Sequence, residues 1–181
     1  RKKWNKYWLV DPLDGTKEFI KKNGEFTVNI ALIENNKPIL GVIYVPTKST
    51  LYFAQQNFGS FKINITSEFN NLDEAKKIFV SNQKTIERVI GSRSHSNQNF
   101  DDWIKKNFPN SGIVQAGSSY KFCLIAEGAA DIYPRFGPTS EWDIAAGHII
   151  VKEAGGDVRS FDNTEIYYNT KEDLLNPHFY A

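Results

Sequence analysis

Phe26-Thr27-Val28-Asn29-Ile30-Ala31-Leu32 alternates along its length, placing Phe26, Val28, Ile30 and Leu32 on one face. A period of two is the mark of a half-buried strand. Downstream, Glu34-Asn35-Asn36-Lys37 is a turn, and Ile39 to Val45 returns as a second strand. Leu51 to Ala54 and Ser60 to Ile65 extend the meander, joined through Gly59. Upstream, Tyr7 to Val10 is a short apolar run expected to stop at Asp11-Pro12, where proline and the following glycine force a turn. Antiparallel hairpins therefore dominate the first third.

The second half changes character. Val89-Ile90 reads as a strand end, followed by the polar loop Gly91-Ser92-Arg93-Ser94-His95. Asn99 to Asn107 forms an amphipathic helix closed by Pro109, and Ser119 to Gly128 spaces Phe122, Leu124, Ile125 and Ala129 helically. Ala130 to Tyr133 resumes a strand. Glu141 to Ala154 is the strongest helix signal, stopped by Gly155-Gly156. Hairpins followed by helices between strands predict an α/β layered sandwich, with two sheets and helices between or outside them.

Composition narrows the function classes. The chain has 181 residues, with 22 Lys+Arg against 21 Asp+Glu, for a formal charge of +1. That balance excludes a polybasic nucleic-acid coat and an acidic solvating tail. One cysteine excludes a disulfide framework and a Cys-rich zinc module. No apolar run approaches the roughly 18 residues that span a bilayer, and no apolar segment follows the basic start as in a signal peptide. The methionine count is zero. A chain opening at Arg1 without an initiator is expected to be a fragment of a longer one.

Three segments could carry chemistry. Asp11-Pro12-Leu13-Asp14-Gly15-Thr16 sets two carboxylates three residues apart, with the Leu13 carbonyl between them. All-oxygen ligation suits a hard divalent cation such as Mg²⁺ or Ca²⁺. Gly15 would relieve the backbone, and the Thr16 hydroxyl could orient a water. The alternative is an Asx-type turn in which Asp14 bonds its own backbone. In Ser140-Glu141-Trp142-Asp143, Asp143 reads either as one half of a capping box or as a further metal ligand, with Ala145, Ala146 and Gly147 small enough to bring the helix start close. Gly117-Ser118-Ser119-Tyr120-Lys121 is either an anion site with a lysine or an ordinary serine cap. Arg135 sits in the stiffened loop Tyr133-Pro134-Arg135-Phe136-Gly137-Pro138, and His95 in the polar loop; both are solvated unless those loops line a cleft. His148 and Cys123 read as packing residues, and His178 has no evident partner.

The combination is more telling than its parts. Trp8-Leu9-Val10-Asp11-Pro12-Leu13-Asp14-Gly15-Thr16 followed by Trp142-Asp143-Ile144-Ala145-Ala146-Gly147 resembles the two signatures of the inositol monophosphatase superfamily of magnesium-dependent, lithium-sensitive phosphomonoesterases. The resemblance covers essentially the whole chain. Lys17-Glu18-Phe19-Ile20, Phe26 to Ile33, Ser92-Arg93-Ser94-His95, Gly117 to Cys123 and Tyr133 to Thr139 look like its bacterial 3′(2′),5′-bisphosphate nucleotidase branch, which converts adenosine 3′,5′-bisphosphate to AMP and phosphate and clears a by-product of sulfate activation.

The resemblance implies an αβαβα-type sandwich of the sugar-phosphatase kind, with a largely antiparallel first sheet and a mixed second sheet, lacking its first helical layer. Residues 1–80 would form the antiparallel half with the metal loop, and 81–181 the α/β substrate half. It implies that Asp11, the Leu13 carbonyl, Asp14 and Asp143 hold two or more Mg²⁺ ions. Thr16 would orient the nucleophilic water, with Gly15 beside it. His95, Ser118, Lys121 and Arg135 would grip the nucleotide and its second phosphate, for which two cations away from the metals are needed. One ion would activate water and another would stabilise the leaving 3′-oxygen in an in-line displacement. An inositol or sugar monophosphatase of the same superfamily, and a non-catalytic metal- or nucleotide-binding fragment, are the competing expectations.

The implied setting is cytoplasmic, with a small nucleotide bisphosphate as partner and neither a nucleic-acid polymer nor a membrane span. The basic start (Arg1, Lys2, Lys3, Lys6) is either a peripheral contact with the inner membrane face or a solvated lead-in to the Tyr7 strand. Family members carry, ahead of the Asp-Pro-Leu-Asp loop, a metal-binding glutamate and a further acidic residue. Residues 1–10 contain no carboxylate, so the 181-residue chain alone is expected to bind metal poorly and turn over slowly.

Overall fold

The computed structural model describes residues 1–65, 71–93 and 98–181. Six antiparallel strands form the first sheet in chain order: β1 (Lys6–Asp14), β2 (Thr27–Glu34), β3 (Lys37–Val45), β4 (Thr50–Gln55), β5 (Gly59–Asn64) and β6 (Lys76–Ile78). A short helix, α1 (Thr16–Ile20), follows β1 directly. The meander matches the alternation and turns of the sequence. Asn35 and Asn36 both take positive φ in the β2–β3 hairpin, the conformation for which asparagine is favoured.

Two expectations about this sheet are corrected. The first strand does not end at Asp11-Pro12 but runs through the proline to Asp14. Pro12 is tolerated because β1 is the sheet edge and because the ladder bulges there: Asp11 pairs with Asn29, and Asp14 with Thr27. Three steps on β1 thus match two on β2. The second correction concerns the face of β2. Thr27, Asn29, Ala31 and Ile33 are the buried set, whereas Phe26, Val28, Ile30 and Leu32 are only half-buried. Thr27, Asn29 and Ala31 on this inner face are small or polar, and Ile33, Ile43 and Val45 complete it with apolar bulk.

The helix packed against this sheet is α4 (Glu141–Glu153), buried from Ile144 to Val151. A Cβ on Gly41 of β3 would lie 2.4 Å from Ile149 Cγ2 and 2.6 Å from the Ala146 carbonyl oxygen. On its other side, a Cβ on Gly147 would lie 2.4 Å from Phe122 Cγ of α3 (Tyr120–Ala126). The small residues of α4 thus serve close packing on both sides, with β3 against one and α3 against the other. The helix ends where expected, with Gly155 at φ 96 just past its cap.

The second half holds a parallel pair, β7 (Arg88–Ser92) and β8 (Gly112–Ala116), connected by α2 (Gln98–Asn107). It also holds a small antiparallel sheet of β9 (Pro134–Arg135), β10 (Arg159–Ser160) and β11 (Phe179–Tyr180), in the order β10-β11-β9. Ala130 to Tyr133 is not the strand that the sequence suggested; Ile132 makes a single parallel bridge to Val89, and the regular strand begins at Pro134. Arg1 and Lys2 of the basic start are tied down, Arg1 Nη1 to Asn169 Oδ1 at 2.6 Å and Lys2 to Glu172 in an ion pair. Among the described residues, no helix is long and apolar enough to cross a membrane.

Candidate active site

Three chain segments converge at one end of the first sheet: the end of β1 running into α1, the start of α3 and the start of α4. In a regular strand, residues three apart point to opposite faces. The bulge adds the extra residue that brings Asp11 and Asp14 to the same face, both opposite inward positions of β2. The sequence left open an Asx turn made by Asp14. It is Asp11 that makes it, accepting from Leu13 N–H at 3.0 Å.

Asp14 reaches across instead. Its Oδ2 accepts from Ser119 N–H and from Ser119 Oγ, both at 2.5 Å. Asp143, in the first turn of α4, closes a capping box: Ser140 N–H donates to its Oδ2 at 2.7 Å. The cap and ligand roles are thus compatible in one side chain. Carboxylate oxygens of Asp11, Asp14 and Asp143 all lie within 4.8 Å of one another. Burial, augmented by the charges of Asp14 and Asp11, pushes the Asp143 carboxyl up to about 6 despite its bond from Ser140. Burial, with Asp14 adding to it, also raises Asp11. Three mutually repelling, half-buried carboxylates with all-oxygen character fit a hard divalent cation.

The same end of the sheet opens a cavity of about 220 Å³, whose lining includes Asp14, Thr16, Ser118, Lys121, Arg135 and Asp143. Gly15 and Ser118 both take left-handed backbone, φ 85 and φ 46, and a Cβ on Gly15 would lie 3.0 Å from that of Ser118. The left-handed backbone is why position 15 favours a glycine, and the close approach of Ser118 adds to it. Lys121 is buried, with its Nζ 5.4 Å from the Tyr133 ring centroid, and burial draws its ammonium down to about 8. Arg135 Nε is buried without a hydrogen-bond partner among the described residues, and its Nη2 reaches the Pro138 carbonyl at 3.4 Å. His95 lies outside the described residues.

Sequence reasoning passed over Asn29 and Glu25, and it read Ser119 as part of an anion site or a cap rather than as a partner of Asp14. Ser119 sits at the α3 cap position yet makes no side-chain cap bond; its hydroxyl faces Asp14 and the Asp143 carbonyl, at 2.5 and 2.6 Å. Asn29, on the inner face of β2, donates to Ser119 Oγ at 2.9 Å. Glu25 accepts from Gly117 N–H at 2.8 Å and grips Arg93 with both oxygens, fixing the loop that carries Ser118. A polar asparagine inside an apolar strand was the available signal, since asparagine is depleted in strands. His148 and Cys123 are buried as expected, with His148 Nδ1 3.0 Å from the Tyr168 hydroxyl.

Residues 1–178 match the inositol monophosphatase family model. The chain belongs to the inositol monophosphatase family. Within that family it is 46% identical over 179 residues to the 3′(2′),5′-bisphosphate nucleotidase CysQ of Salmonella typhimurium, covering 99% of this chain and 69% of that protein. Identity to the CysQ of Buchnera aphidicola is 51% over 180 residues, covering 98% of this chain and 64% of that one. The crystal structure of CysQ from Bacteroides thetaiotaomicron aligns with a TM-score of 0.90 at 46% identity, over 99% of this chain and 70% of that one. An inositol monophosphatase from Anabaena aligns at 0.78 and 25% identity, over 100% of this chain and 68% of that one.

Proposed function

We propose that this family member is a Mg²⁺-dependent phosphomonoesterase that removes the 3′-phosphate of adenosine 3′,5′-bisphosphate, giving AMP and phosphate. The observation that carries this reading is one cavity with two charge types: Asp14 and Asp143 of the acidic cluster line it together with Lys121 and Arg135. A monophosphate needs only the metal wall; a second phosphate gives the two cations something to bind. The curated relatives named CysQ support the same substrate.

Asp11, Asp14, Asp143 and the Leu13 carbonyl would hold the ions. Bound divalent cations supply an activated water and neutralise charge on the phosphoryl and leaving oxygens. Thr16, at the head of α1 on the cavity wall, orients the water toward phosphorus. Lys121, Arg135 and Ser118 hold the other phosphate, so the 3′-ester is presented in one orientation. The oxygen of water bonds to phosphorus as the ester P–O bond breaks; the water gives up a proton and the departing 3′-oxygen takes one, leaving AMP and inorganic phosphate.

Phosphate release with Mg²⁺ should be at least about tenfold faster from adenosine 3′,5′-bisphosphate than from inositol 1-phosphate. Lys121→Ala should raise KM for the bisphosphate by about tenfold or more and leave a monophosphate substrate nearly unchanged. Equal rates on both substrates, or no release from the longest natural form of the protein, would overturn the reading.

A further inference from the structure

Asn29 sits on the first sheet's inner face near the start of β2, beside the edge strand, 1% exposed and flanked by Val28 and Ile30. Its amide nitrogen is 2.9 Å from Ser119 Oγ and 3.5 Å from Asp14 Oδ2. The opposite orientation would set the amide oxygen against a carboxylate, so the donor must face the site. The consequence is unfavourable for stability: Asn29 Oδ1 is buried with no hydrogen-bond partner among the described residues. Thr27 Oγ1 of the same strand is likewise buried without a partner, so what sets Asn29 apart is that its donor reaches Ser119 and Asp14 at the site.

Donor counting at Ser119 gives that contact a purpose. Its single hydroxyl proton has two acceptors in reach, Asp14 Oδ2 at 2.5 Å and the Asp143 carbonyl at 2.6 Å. With Asn29 donating into Ser119 Oγ, the hydroxyl lone pair on that side is occupied and its proton is turned outward. The charged carboxylate takes it more strongly than the neutral carbonyl. Asp14 Oδ2 is then held by Ser119 N–H and Ser119 O–H together, which leaves Oδ1 to serve an ion.

We infer that Asn29, through Ser119, is a positioning residue for Asp14: a relay joining β2, the start of α3 and the β1 bulge that fixes one carboxylate oxygen and frees the other. This rests on the metal centre proposed above. Groups that orient a ligand in this way are worth about 10–100-fold in metal affinity.

The test is Mn²⁺ binding to the longest natural form of the protein, without substrate, read by electron paramagnetic resonance of the free ion up to millimolar metal. Wild type, Asn29→Ala, Ser119→Ala, the double variant and Asp143→Asn are compared, with circular dichroism and thermal melts to establish that each is folded. Asn29→Ala and Ser119→Ala should each raise the Kd by about 10-fold or more. Acting through the same oxygen, they should not add: the double variant should fall within about threefold of the larger single effect. A merely structural role would change the melts and leave the Kd alone. Unchanged affinity in a folded Asn29→Ala, or fully additive losses, overturns the inference while the metal centre stands. A wild type that binds Mn²⁺ no better than Asp143→Asn removes the metal centre itself, and the relay with it.

Discussion

Asp143 caps a helix with the carboxylate that completes the acidic cluster, and the two roles pull its protonation in opposite directions. The Ser140 N–H bond favours the charged form; burial and the neighbouring Asp14 and Asp11 disfavour it and win, moving the group from the usual 3.8 to about 6. Between about pH 4 and 6 the folded chain keeps a proton that the unfolded chain has released. Stability from this group is therefore full below pH 4 and is lost as pH rises through 6. Asp143→Asn keeps an acceptor for Ser140 and removes the charge. It should raise stability at pH 7 by about 1 kcal/mol, with the gain vanishing below about pH 4. Urea unfolding at the two pH values measures this, and a variant no more stable than wild type at pH 7 would contradict it. The same variant should lose metal binding, since stability is given up at this residue to concentrate negative charge.

At the scale of elements, the contact between β3 and α4 sets how closely the sheet holds the site. Gly41→Ala would drive a methyl into Ile149 and the Ala146 carbonyl, and because backbone cannot swing aside, it should cost about 2–3 kcal/mol. A urea midpoint unchanged from wild type would show that the helix can retreat. The meander was legible because Phe26 to Val45 alternates and turns on Asn35-Asn36, signals that need no tertiary context. The inner and outer faces were not, because apolar alternation picked the outer set while the inner set mixes Thr27, Asn29 and Ala31 with Ile33. Strands β9, β10 and β11, two residues each, exist through partners far along the chain and leave no local pattern. Pro12 misled for a related reason: it breaks central strands but not a bulged edge. In the site, the carboxylates and Lys121 were readable from type and order. The contact of Asn29 with Ser119 was not, since it joins residues 90 positions apart.

Across the whole molecule, the first sheet has two unlike faces, and the outer one is apolar over much of its width. Register places Trp8 opposite Leu32 and Val10 opposite Ile30; Ile30 then pairs with Val42, Val42 with Phe53, and Phe53 with Phe61. The row is continuous, and Phe53 and Phe61 stack at 5.5 Å between centroids. Trp8 is 59% exposed and Val10 49% exposed, so the row ends open on the edge strand. The Salmonella and Bacteroides relatives each have about 30% of their length outside the matched span. Exposed contiguous apolar surface of this kind binds hydrophobic dyes. The 181-residue chain should therefore enhance the fluorescence of an anilinonaphthalene sulfonate dye in its folded state. The double substitution Trp8→Gln, Val10→Thr should cut that enhancement by about twofold without lowering the melting temperature, since both side chains leave solvent rather than core. Dye binding that survives the double substitution would place the sticky surface elsewhere. A fall in melting temperature would show instead that Trp8 and Val10 already pack against the sheet.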